Sequence, residues 1–176
     1  MTRRDSLFLM AALLAGPVAF AADRPVRIAF VDTGNTGRSV TAEALAVTAA
    51  ARDGLSVQVI SRAVNLNPYN IHPEDAFITL LRQRGIDVSG HIAAQFNGQD
   101  AKFSDIILTM TGAHRDWIIE HFPETKDKVF LLGDYATGTP TEVLDAFGKP
   151  MDFYQKVLAQ LDGLIAPAIA KATGKH

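Results

Sequence analysis

The sequence contains no cysteine. That absence excludes disulfides, zinc–thiolate centres and every mechanism that runs through a thiolate nucleophile. It has no large excess of either charge: the net charge is −2 and the isoelectric point lies near 6.2. No long-range field therefore gathers nucleic acid or an anionic membrane, and any anion site must be local. It also lacks an apolar run long enough to cross a bilayer, which takes roughly 20 residues. The longest candidate, Leu7 to Phe20, is shorter and is interrupted by Gly16 and Pro17. Internal repeats and low-complexity tracts are absent as well.

What is present is a chain of 176 residues, 48% hydrophobic and 20% charged, which suits one domain with a sizeable core. Arg3 and Arg4 precede the Leu7–Phe20 run, and Ala19-Phe20-Ala21 supplies the small residues that signal peptidase accepts. This predicts a secretory signal over residues 1–21, cleavage near Ala21, and a periplasmic or secreted domain over 22–176 without a permanent membrane anchor. Thr2-Arg3-Arg4 also loosely resembles a twin-arginine signal, so both export routes stay open.

From Val26 onward strands and helices alternate. Val26 to Val31, Leu55 to Ile60, Asp105 to Met110 and Val129 to Leu132 read as strands. Ser39 to Arg52, Pro73 to Arg84, Ala113 to His121 and Asp152 to about Lys171 read as helices, with Gly85 stopping the second. Gly133 to Pro150 is left as a long irregular stretch. The alternation predicts an α/β fold: a single three-layer domain in which a four-stranded, mostly parallel sheet is covered by helices on both faces.

Asp32-Thr33-Gly34-Asn35-Thr36-Gly37-Arg38-Ser39 sits between the first strand and its helix. Backbone N–H groups at such a junction favour an anion. Gly34 and Gly37 permit unusual backbone angles that let the N–H groups converge, and Arg38 can grip oxyanion oxygens in a bidentate manner. On these residues alone, an anion loop and a plain Gly-rich turn are both open.

Ile28 to Leu45 (IAFVDTGNTGRSVTAEAL) resembles the opening of the low-molecular-weight protein tyrosine phosphatases and related arsenate reductases, whose loop runs Cys, five residues, Arg, Ser or Thr. Arg82 to His91 (RQRGIDVSGH), Ser104 to Met110 (SDIILTM) and Val143 to Phe147 (VLDAF) resemble later segments of the same family, in order. The resemblance implies that family's fold. It also implies that Asn35 braces the loop, that Arg38 binds the oxyanion, that Ser39 assists the nucleophile and that Asp145 is the general acid. Phe147 falls near the aromatic residues lining the cleft, although Ala146 stands where a proline is usual. Two departures are Asp32, at the position of the cysteine nucleophile, and Gly37, where many members carry another cysteine.

Asp32 cannot repeat thiolate chemistry. Its carboxylate would face an incoming phosphate dianion, and two unit charges about 4 Å apart cost about 1 kcal/mol in water and several times that in a partly buried site. Where an aspartate does accept a phosphoryl group, Mg²⁺ screens the two anions. Asp145, Asp134 or Asp152 could join Asp32 in such a site; otherwise no metal or cofactor is expected. The plainer expectation is that Asp32 ties down the loop, its oxygens standing in for part of the missing anion.

Two functions follow. One is a pseudophosphatase whose residues Thr33 to Ser39 and Phe147 bind a small anion, a phosphorylated ligand or a periplasmic protein. The other is a phosphomonoesterase, a hydrolase using Asp32 with Asp145. His72, His91, His114 and His121 lack tight metal-ligand spacing and read as surface or structural residues. Trp117, with Ile118 and Phe122, reads as core, and His176 ends a Lys-rich tail.

Overall fold

Residue alternation in the first strand sets the layering of the whole domain. In the computed structural model, which describes residues 24–174, the strands are β1 (Val26–Asp32), β2 (Val57–Ala63), β3 (Ile106–Thr109) and β4 (Val129–Leu131). The helices are α1 (Arg38–Asp53), α2 (Asp75–Arg82), α3 (Gly98–Phe103), α4 (Gly112–His121), α5 (Leu132–Thr137) and α6 (Met151–Ala172). The expected signal segment and His176 lie outside the described residues.

The strands pair in the order β2-β1-β3-β4, and every pair is parallel. A parallel strand buried on both faces must be apolar at consecutive positions, and Ile28, Ala29, Phe30 and Val31 are all fully buried. Ile28 and Phe30 enter one core with Leu45 of α1, Phe77 and Leu81 of α2, and Leu161 and Ile165 of α6. Ala29 and Val31 enter the other with Ile107, Val129, Ala101 of α3 and Ile118 of α4. Burying each of the large side chains contributes about 1.5–3 kcal/mol relative to exposure. Trp117 and Phe122 pack against the second core, as their helical spacing predicts.

Three local expectations change. β2 runs on to Ala63, not Ile60, because Ala63 sits in register with Asp32 and its N–H bonds to Ala94 O at 2.8 Å. α3, absent from the sequence reading, is too short to show a period; Asn97 starts it by accepting from Gln99 N–H while Asp100 accepts from Asn97 N–H, a reciprocal cap. α5 interrupts the stretch read as irregular. Gly133 lies within this helix, at a position with no room for a side chain, since a β-carbon there would collide with the Thr141 carbonyl. Among the described residues no helix is long and apolar enough to cross a membrane.

Candidate functional site

β1 has β2 on one side and β3 on the other, so its carboxyl end lies where the chain's crossovers part, the place where parallel α/β sheets open a crevice. Asp32 ends β1 there and is only 2% exposed. Its Oδ1 accepts the N–H of Asn35 at 2.5 Å and its Oδ2 accepts the N–H of Ser39 at 2.9 Å. The carboxylate thus closes back on the loop's own donors.

Asn35, fully buried, carries the one left-handed backbone among the described non-glycine residues, with φ of 58°. Gly34 and Gly37, read from sequence as the source of unusual angles, do not have positive φ. Asparagine tolerates this region because its short amide bonds locally, and here the amide is fully engaged. Its Nδ2 donates to Ser39 Oγ at 2.9 Å and to Ser61 Oγ at 2.8 Å, while its Oδ1 accepts from Ala94 N–H at 3.0 Å. Ser61 in turn donates to Glu43 of α1. His91 Nε2 lies 3.1 Å from the Asn35 carbonyl oxygen, so this histidine braces the loop.

What Gly37 supplies is room. A β-carbon at this position would strike the carboxylate of Glu74 and lie 3.3 Å from the Phe77 ring. Glu74 is held over the loop by its N–H, which donates to Thr36 O at 2.9 Å, and by Tyr154, whose hydroxyl donates to Oε2 at 2.5 Å. Burial pushes the Glu74 carboxyl above its usual range, and the negative charges of Asp145 and Asp32 push it further. Burial and the Glu74 acceptor likewise raise the Tyr154 hydroxyl.

The Arg38 side chain is 7% exposed; its Nη1 donates to Val143 O at 3.3 Å and its Nη2 to Asp145 Oδ2 at 2.9 Å. The Asp145 side chain is 57% exposed, and its other oxygen accepts the N–H of Phe147 at 3.1 Å. The Asp145 loop is anchored to the sheet through Val143 N–H, which donates to Met110 O at 2.9 Å. Behind the loop, Thr33 Oγ1 meets His114 Nε2 at 2.9 Å. Burial, reinforced by Arg38, lowers the His114 imidazole below its usual range.

These elements enclose a cleft of about 270 Å³. Asp32, Thr33, Gly34, Thr36, Gly37, Arg38, Asp145 and Phe147 line it, whereas Asn35 and Ser39 are buried beneath. Glu74, Phe77 and the amides of Asn65, Asn67 and Asn70 complete the wall, none of them singled out by the sequence as a site residue. The Pro- and Asn-rich composition before α2 is the only sequence signal for the amides, and nothing local marks Glu74. Asp134 and Asp152, weighed as metal partners, are not in the wall of the cleft. Among the described residues no group of three or more ligating side chains is arranged around a metal position.

Residues 27–172 match the family described as low molecular weight phosphotyrosine protein phosphatase. The protein-arginine-phosphatase of Bacillus subtilis (strain 168) is 36% identical over 138 residues, 78% of this chain and 91% of its own. A probable low molecular weight protein-tyrosine-phosphatase of Ralstonia solanacearum is 32% identical over 136 residues, covering 76% and 87%. The solved arginine phosphatase of Geobacillus stearothermophilus superposes with a TM-score of 0.76 at 32% identity, over 86% of this chain and 95% of that one.

Proposed function

The chain belongs to the low molecular weight phosphotyrosine protein phosphatase family, and on that premise we propose that it is an exported, catalytically silent member which binds a protein-borne side chain in the cleft instead of hydrolysing a phosphoester. The observation that carries this reading is the posture of Asp32. Both of its oxygens are committed to the loop, to Asn35 N–H and Ser39 N–H. Both donors belong to residues buried beneath the cleft, so the carboxylate is turned into its own loop rather than towards an incoming group. An oxygen so held is a poor nucleophile, and displacing it would cost about 1.5–3 kcal/mol for each charged hydrogen bond lost. The same arrangement satisfies these two buried N–H groups without any ligand.

Arg38 and Asp145 fit this reading. In the family pattern these are the oxyanion grip and the general acid; here they are paired with each other at 2.9 Å. Export rests on the apolar run and the small residues before Ala22. The relatives named for protein-arginine make an arginine side chain of a protein the class of group we assign to the cleft.

The test is hydrolysis of p-nitrophenyl phosphate and of a phosphoarginine peptide, from acidic to neutral pH, with and without Mg²⁺. The native chain is expected to turn over neither. Asp32→Cys, which restores a thiol beneath an otherwise retained loop, is expected to gain activity. Native turnover that disappears in Asp32→Asn would overturn the binding reading in favour of an aspartate-dependent phosphomonoesterase.

A further inference from the structure

Three carboxylates and one guanidinium face the cleft: Asp32, Glu74 and Asp145 against Arg38. Arg38 is already paired with Asp145, which leaves the excess negative charge of Asp32 and Glu74 unbalanced by any cation lining the cleft. His114, behind the loop, is buried and held towards its neutral form by its surroundings, so it does not offset them. A dianion entering here would meet unbalanced like charge at Asp32 and Glu74, whereas a cation would meet opposite charge at both.

The shape narrows the cation. Phe147, 64% exposed, stands at the mouth, and the buried Phe77 lines the cleft along with Glu74. A flat, delocalised guanidinium can stack on an aromatic face while its N–H groups fan out to several acceptors, which a compact ammonium cannot do. Asp145 keeps more than half of its side-chain surface open although it binds Arg38, so acceptor capacity remains on the outer side of that pair. We infer that the cleft takes the unphosphorylated guanidinium of an arginine side chain, with Glu74 and Asp145 accepting its N–H groups, Phe147 covering it, and Asp32 standing where a phosphoryl group would otherwise lie.

This rests on the binding reading above and adds the charge state of the ligand. Carboxylate and guanidinium together would reproduce inside the protein the charge pattern of a phosphorylated arginine, its anionic half supplied by Asp32 and its cationic half by the partner.

The experiment is isothermal titration of the full chain with four peptides differing at one central residue: arginine, citrulline, phosphoarginine and phosphotyrosine. Citrulline keeps the shape of arginine and removes the charge. The arginine peptide is expected to bind at least about tenfold more tightly than any of the other three, a difference of about 1.4 kcal/mol. Glu74→Gln and Phe147→Ala, checked for folding by circular dichroism, are each expected to weaken it by about tenfold. Tighter binding of phosphoarginine or phosphotyrosine without hydrolysis would overturn this inference alone. Hydrolysis of either would overturn the binding reading as well. Arginine binding no tighter than citrulline, or no binding of any peptide, would also overturn it.

Discussion

The carboxylate of Glu74 occupies the space that a side chain on Gly37 would need. The two residues are far apart in sequence, one in the loop after β1 and the other just before α2, and the Glu74 N–H to Thr36 O bond holds them together. Gly37 is one of the two departures from the family loop, and Glu74 is its spatial partner. With Glu74 held in this pose, a side chain at position 37 would have to displace its carboxylate.

Gly37→Ala is expected to destabilise the fold by about 1–3 kcal/mol through overpacking. Because the collision is with Glu74 and the neighbouring Phe77 ring, Glu74→Ala in the same chain is expected to recover part of that loss. Denaturant titration of the two single variants and the double variant gives a coupling energy, expected between about 0.5 and 3 kcal/mol. Strictly additive effects would contradict the contact.

Asn35 combines a left-handed backbone with four engaged side-chain or carbonyl partners. Asn35→Ala places a β-carbon residue in that region without a compensating amide and leaves Ala94 N–H without its acceptor. A loss of about 2–4 kcal/mol is expected from strain and unpaired buried groups together. Asn35→Gly relieves the strain but not the lost bonds, so it is expected to fall between Asn35→Ala and the native chain when denaturation midpoints are compared.

The pH dependence of stability carries two opposed contributions. His114 has a lowered folded-state pKa relative to its ordinary 6.5, with burial as the main cause. Its contribution is present above 6.5 and is lost as the pH falls from there, because the unfolded chain then binds the proton more readily. Glu74 has a raised folded-state pKa relative to its ordinary 4.5, again chiefly from burial. Its contribution is present below 4.5 and is lost as the pH rises above that value. Thermal unfolding between pH 4 and pH 8 is expected to show both slopes. Glu74→Gln, which keeps an acceptor for the Tyr154 hydroxyl, is expected to remove the loss on the alkaline side and leave the His114 slope intact. Because the two slopes oppose each other, the variant separates them: a Glu74→Gln profile with no loss below pH 6.5 would contradict the His114 contribution, and a native profile that coincides with that of Glu74→Gln would contradict the Glu74 contribution.

Much of the architecture is legible in the sequence. Consecutive apolar residues in β1 imply a strand buried on two faces, and the helical spacing of Phe77, Leu80 and Leu81 implies a helix laid on the sheet. Short elements without a full period were not legible: α3 is held by the Asn97 and Asp100 cap, and α5 contains a glycine whose reason for being small lies at Thr141. Neither constraint has a signature in the local pattern.

The site divides along the same line. Sequence by itself determined the chemistry available: no thiol anywhere, a carboxylate at the head of a loop rich in backbone donors, and Arg38, Ser39 and Asp145 in the family's order. Only the tertiary structure decided how that chemistry is arranged. It gave the left-handed position to Asn35 rather than to a glycine, paired Arg38 with Asp145, and brought Glu74 over Gly37, whereas the turn of Asp32 onto its own loop is already the expectation from sequence. The physical reason is range. Composition and short spacing encode bonds made within a turn or two of chain, whereas the charge balance of the cleft is set by residues from distant segments, which meet only because two hydrophobic cores close on either side of one parallel sheet.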